Sequence, residues 1–95
     1  MATGTAKTGQ WSSVSSVSLP FTAAKDGVLY ANLNPNSSAI SYYYIQDATA
    51  NQIVGNVVAR DGTRSQQAIP IRGGHQYILS ASSNVKSISL TAYYL

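Results

Sequence analysis

Three aspartates, Asp26, Asp47 and Asp61, and one histidine, His75, are the side chains able to move a proton near neutral pH in this 95-residue chain. There is no glutamate and no cysteine. A two-carboxylate hydrolase needs a pair converging from separate strands. Asp26 and Asp61 each precede a glycine, where an aspartate folds back to cap a turn. Asp47 is left alone, and one carboxylate does not make a pair. Serines are plentiful, but none stands in a Gly-x-Ser-x-Gly elbow. His75 follows Gly73-Gly74 and reads as a partly exposed residue opening a strand. Without thiolates, and with a single imidazole, no Cys or His cluster can hold a metal. The sequence predicts no catalytic residue, no metal site and no cofactor.

The seven tyrosines carry more information: Tyr30, Tyr42, Tyr43, Tyr44, Tyr77, Tyr93 and Tyr94. In a strand, Tyr42 and Tyr44 point one way and Tyr43 the other, and Tyr93 and Tyr94 divide in the same manner. A two-layer fold buries one face of each strand, so some of these rings face outward. Outward tyrosine suits contact surfaces, since it adds area with few rotors and keeps a polar tip. Two uses compete: a subunit interface, or a sugar-stacking platform made by Tyr42, Tyr43 and Tyr44. The scarcity of carboxylates, which sugar sites usually place beside the ring, favours the interface.

The elements that position these residues are strands. Lys25-Asp26-Gly27, Asn34-Pro35-Asn36-Ser37-Ser38, Asp47 to Asn51, Arg60-Asp61-Gly62-Thr63, Gly73-Gly74 and Ser82-Ser83-Asn84 are turn chemistry. They recur about every 10–13 residues, the spacing of a sandwich or barrel. Between them lie runs rich in Val, Ile, Tyr, Thr and Ser. We read seven strands, at 12–21, 27–33, 39–46, 52–59, 65–71, 75–81 and 85–95. Ile88, Leu90, Ala92 and Tyr94 share one face of the last; Leu29, Ala31 and Leu33 share one face of the second; Tyr77, Leu79 and Ala81 do so in the sixth. Pro70 donates no ladder bond and predicts an edge strand. No window shows a helical period. The fold class is all-β, an antiparallel sandwich of jelly-roll type over 11–95 with an extended arm over 1–10. Such an arm is expected to lie on a neighbouring subunit.

Composition points to assembly. A chain this short buries roughly 60–65% of its unfolded surface, which leaves a thin core. Disulfides are excluded, so oligomerisation is the remaining support. Only 9% of residues are charged, against about 25% in an ordinary soluble domain. The net charge is +3, but Lys7, Lys25, Arg60, Arg64, Arg72 and Lys86 are scattered, with only Arg60, Arg64 and Arg72 grouped around turns. That pattern argues against nucleic acid, which selects clustered basic faces. No segment approaches the roughly 20 apolar residues of a membrane helix, and residues 1–10 lack the apolar stretch of a signal peptide.

Three segments carry a resemblance: Val17-Ser-Leu-Pro-Phe-Thr-Ala-Ala-Lys-Asp-Gly-Val-Leu29, Ala68-Ile-Pro-Ile-Arg-Gly-Gly-His-Gln-Tyr77 and Ser87-Ile-Ser-Leu-Thr-Ala-Tyr-Tyr-Leu95. Over 11–95 the chain resembles the head modules of bacteriophage fibres and capsid decorations, which are compact jelly-roll sandwiches of tumour-necrosis-factor-like type. It departs from their pattern at Ala24, where proline is usual, and at His75, where aspartate is usual. The resemblance implies a virion structural protein, a homotrimer docked on capsid or tail proteins. With no shaft before the head, a chain beginning at Met1 fits a capsid decoration, head fibre or small tail component. The alternative is a carbohydrate- or receptor-binding fibre tip taking a host-surface glycan. For the oligomer, the expected interface residues are Ile88, Leu90, Tyr93, Tyr94 and Leu95.

Overall fold

The computed structural model describes residues 13–36 and 40–95. The arm expected over 1–10 lies outside the described residues. Eight strands follow one another: β1 Ser13–Val17, β2 Phe21–Thr22, β3 Gly27–Pro35, β4 Ser41–Asp47, β5 Gln52–Ala59, β6 Ser65–Ile71, β7 Gln76–Ser83 and β8 Val85–Tyr94. Seven strands were expected. The difference lies in the first, which divides at Ser18–Pro20, where the chain leaves one sheet for the other. Pro20 has no N–H with which to continue a ladder.

Two four-stranded antiparallel sheets, ordered β1-β8-β3-β6 and β2-β7-β4-β5, pack face to face. Each connection from β1 to β8, except the β4–β5 hairpin, crosses between sheets, which makes the sandwich a jelly roll. Alternation decides what goes inside. Leu29, Ala31 and Leu33 of β3 meet Tyr43 and Ile45 of β4, with Ile69, Tyr77, Leu90 and Ala92 around them. Leu90, Ala92 and Tyr94 share the inner face as their spacing predicts, and Ile88 packs partly buried at its margin. In β7 the pattern breaks. A bulge between Tyr44 and Ile45 sets Ala81 opposite the outward Tyr44. Leu79 stays 44% exposed, because β2 covers only the first residues of β7 and leaves the rest an open edge. Pro70 does sit on an edge strand, β6.

The turns at the two ends differ in chemistry. Asp61 (φ 54°) and Gly62 (φ 72°) are both left-handed, and the Thr63 amide donates to the Arg60 carbonyl at 3.0 Å. This is the two-residue turn for which Asp-Gly is selected. Beside it, the left-handed Asn84 joins three segments: its carbonyl accepts from Ser41 Oγ and the Asn36 amide, each at 2.8 Å, and its Nδ2 donates to the Ile40 carbonyl. Gly27 also follows an aspartate, but unlike Gly62 it has no positive φ. It opens β3 where a Cβ would collide with the carbonyl oxygen of Tyr93, so close strand approach selects the glycine. Two melting experiments separate these causes. Gly62→Val should cost about 1–3 kcal/mol through backbone strain. Gly27→Ala should also destabilise, against the roughly 0.4–1 kcal/mol gain that Gly→Ala gives at compatible sites. An unchanged melting temperature in either variant contradicts the corresponding cause.

Candidate functional site

At the end of the sandwich opposite Asp61-Gly62, three loops are tied together. The loop from β6 to β7, Arg72-Gly73-Gly74-His75, closes a turn in which the His75 amide donates to the Arg72 carbonyl at 3.1 Å. Gly74, third in that turn, takes φ 83°, as a type II turn requires. Every amide from Arg72 to Gln76 has an acceptor. Arg72 donates to the Tyr77 hydroxyl at 2.8 Å, Gly73 to Asp26 Oδ1 at 2.8 Å, Gly74 to the Ala23 carbonyl at 2.7 Å and Gln76 to Thr49 Oγ1 at 3.0 Å. A loop with each N–H satisfied is held in one conformation.

This loop brings His75 onto Asp47. Asp47, the last residue of β4, pairs in register with Tyr77, two positions beyond His75. Asp47 is buried, its side chain 6% exposed. Oδ1 accepts from the Ala50 amide at 3.0 Å, and Oδ2 lies 2.7 Å from His75 Nδ1. Burial opposes ionisation of Asp47, but the bonds from His75 and the Ala50 and Thr49 amides outweigh it and hold its pKa below the usual value. An ionised carboxylate only accepts, so Nδ1 carries the proton and Nε2 is left for other partners. Burial likewise raises the Tyr77 hydroxyl. Asp47, His75, Arg72, Gln52, Val54 and Pro70 line a cleft of about 420 Å³. A buried aspartate orienting an imidazole is two-thirds of a nucleophile-activating triad. Among the described lining residues there is no serine, threonine or cysteine to complete it.

The outward faces of the sheets carry the tyrosines. On β2-β7-β4-β5, Tyr42 and Tyr44 stack at 4.8 Å between centroids and 29° between planes, while Tyr43 is buried in the core. The proposed three-ring platform is therefore a two-ring one. On β1-β8-β3-β6, Val14, Tyr93, Val28 and Pro70 form one row across all four strands, and Ser16, Thr91, Tyr30 and Ala68 form the next. Val28, Tyr30, Ala68 and Tyr93 surround an apolar depression of about 210 Å³, and the Tyr30 hydroxyl donates to Gln66 at 2.6 Å. Of the expected interface residues, Tyr93 lies on this face and Leu95, 52% exposed, ends the chain beside it. Leu90 and Tyr94 are 4% and 8% exposed and belong to the domain's own core. The reason is the alternation itself: the face that buries Ala92 takes Leu90 and Tyr94 with it.

Charge is confined to the ends. Neither the two outward rows nor Asn32, Ser89 and Gln66 beyond them contribute a charge. Arg60, Asp61 and Arg64 occupy the loop from β5 to β6, and Arg72 the loop after it. The full length of β6 separates Arg64 from Arg72, about 20 Å or more at the rise of a strand. The three arginines that read as a group are two at one end and one at the other.

Sequence reasoning missed the Asp47–His75 pair because the two are remote in the chain and the bulge between Tyr44 and Ile45 hides their register. The available signal was topological: antiparallel β4 and β7 place the end of one at the start of the other. Comparison with protein-family models, curated proteins and solved structures finds no match to this chain.

The depressed pKa of Asp47 has a signed consequence. A lowered folded-state value contributes stability that is present above the unfolded pKa and lost as pH falls through the folded one. Wild-type stability should therefore decline from about pH 4 downward. Asp47→Asn should cost about 1.5–3 kcal/mol at pH 7, the range for hydrogen bonds to charged groups, and converge on wild type in acid. Urea melts across pH check this, and curves that stay parallel contradict it.

Proposed function

We propose that this chain is a non-enzymatic structural protein of a bacteriophage virion. In this reading it is a capsid decoration, head fibre or small tail component, assembling as a homotrimer on capsid or tail proteins. The observation that carries the reading is the outward face of β1-β8-β3-β6. There Val14, Tyr93, Val28 and Pro70 cross the whole sheet, and the row on their inner side, Ser16, Thr91, Tyr30 and Ala68, carries no charge. Val14 is 55% exposed. Closing such a face against protein desolvates no ion, which is the term that most opposes burial of a surface. The jelly roll agrees with the architecture that the phage-head resemblance implies, and the trimer is taken from that resemblance. The charges left at the loop ends keep the particle surface polar without entering the interface.

A second reading, a carbohydrate- or receptor-binding module, is favoured by one observation: Tyr42 and Tyr44 present a stacked aromatic pair on the other sheet. Aromatic faces of this kind take the apolar side of a sugar ring.

Two variants tell the readings apart. Ala68→Arg places a charge on an exposed edge-strand position opposite Tyr30. It should lower the oligomer mass in size-exclusion chromatography with light scattering while the melting temperature of the domain holds. Retention of the wild-type mass would show that this face is not the interface. Tyr44→Ala should abolish the wild type's glycan-array signal for neutral sugars under the second reading and leave assembly intact. The virion assignment is checked by mass spectrometry of purified particles, in which this chain should appear at a fixed ratio to the capsid protein. Its absence contradicts the assignment.

A further inference from the structure

Resting on the carbohydrate-binding reading but placed on other residues, we propose that the cleft beside Asp47 and His75 binds a carboxylate-bearing sugar, with Arg72 and His75 holding the carboxylate and Gln52 a hydroxyl. The cleft holds about 420 Å³, inside the roughly 300–1,000 Å³ of small-ligand sites. A bare carboxylate would leave most of it unfilled. Arg72 lines the same cleft, and its guanidinium forms no ion pair with Asp26, Asp47 or Asp61. Guanidinium matches carboxylate with two parallel hydrogen bonds. His75 adds its second ring nitrogen, because Nδ1 is committed to Asp47 Oδ2.

The surroundings select the rest of the ligand. Asp47 stands behind His75 and limits the positive potential of the cleft, which suits a monoanion better than a phosphate dianion. Gln52 offers both a donor and an acceptor, the pairing a sugar hydroxyl needs. Val54 and Pro70 give an apolar wall for the C–H face of the ring. The site is also rigid. The amides of Arg72, Gly73, Gly74, His75 and Gln76 are all bonded, within the turn and β7, to the loop after β2 and to the loop after β4, so little ordering remains to be done on binding.

Amide chemical-shift titration of the ¹⁵N-labelled full chain tests the proposal, using methyl β-glucuronide and its neutral partner methyl β-glucoside. These two probes differ at the carboxylate alone, and acetate and inorganic phosphate complete the series. The glucuronide should saturate at millimolar concentration, with shifts centred on 47–52 and 70–77. The glucoside and acetate should each bind at least about tenfold more weakly, and Arg72→Gln should weaken the glucuronide about 10–100-fold, the worth of one charged hydrogen-bonded contact. Tyr44→Ala should leave the glucuronide titration unchanged, so failure at this cleft and failure of the Tyr42–Tyr44 platform are separable. Acetate binding as tightly as the glucuronide overturns the sugar assignment. Phosphate binding more tightly overturns the carboxylate assignment. No saturable shift, or a titration insensitive to Arg72→Gln, overturns the site.

Discussion

Two sheets of short strands meet in this protein through a single layer of side chains, with no disulfide to reinforce it. Leu29, Leu33, Ile45, Ile69 and Tyr77 are wholly enclosed in that layer. Because successive residues of a strand point to opposite faces, filling the inner layer fixes the outer one. Tyr43 and Ile45 go in, so Tyr42 and Tyr44 go out. Leu29 and Ala31 go in, so Val28 and Tyr30 go out. Strands favour branched and aromatic residues on both faces, and most sequences answer with Lys and Glu outside. This one answers with Tyr, Val, Thr and Ser. The outer faces are therefore charge-free by the choice of residue, while their positions are set by the core.

The ionic chemistry that remains is pushed to the strand ends and the loops, where it does structural service before any other. Asp26 reaches across to the Gly73 amide, and Asp47 holds both the Ala50 amide and His75. These two carboxylates join the loops after β2, β4 and β6 into one rigid end, to which the Leu95 amide is also bound through the Asp26 carbonyl at 3.0 Å. The other end, built on Asn84 and the Asp61-Gly62 turn, uses backbone conformation and an amide side chain instead. One end is suited to present side chains to a small ligand, the other to turn the chain.

The sequence made the sandwich legible because its turns are written in Asp-Gly, Asn and Gly, and its strands alternate. Pro70 marked an edge, and the inward set of β8 could be read residue by residue. Two things were hidden. Bulges break the period of two, so the fate of Ala81 and the meeting of Asp47 with His75 depended on a register that composition does not encode, while Leu79 is exposed by an open edge. The roles of two glycines were also indistinguishable in the chain: Gly27 and Gly62 both follow aspartate, yet one is selected by φ and the other by the approach of Tyr93. For the interface, Leu90 and Tyr94 were named as contacts although their spacing put them on the face a thin core can accept, and the core encloses both.

The central claim is that the uncharged outer sheet closes on further copies of the chain. Sedimentation equilibrium of the wild-type protein over a micromolar concentration series measures it directly. The account predicts a species of three times the 10.0 kDa chain mass that dissociates on dilution. A species that remains at 10.0 kDa throughout contradicts it.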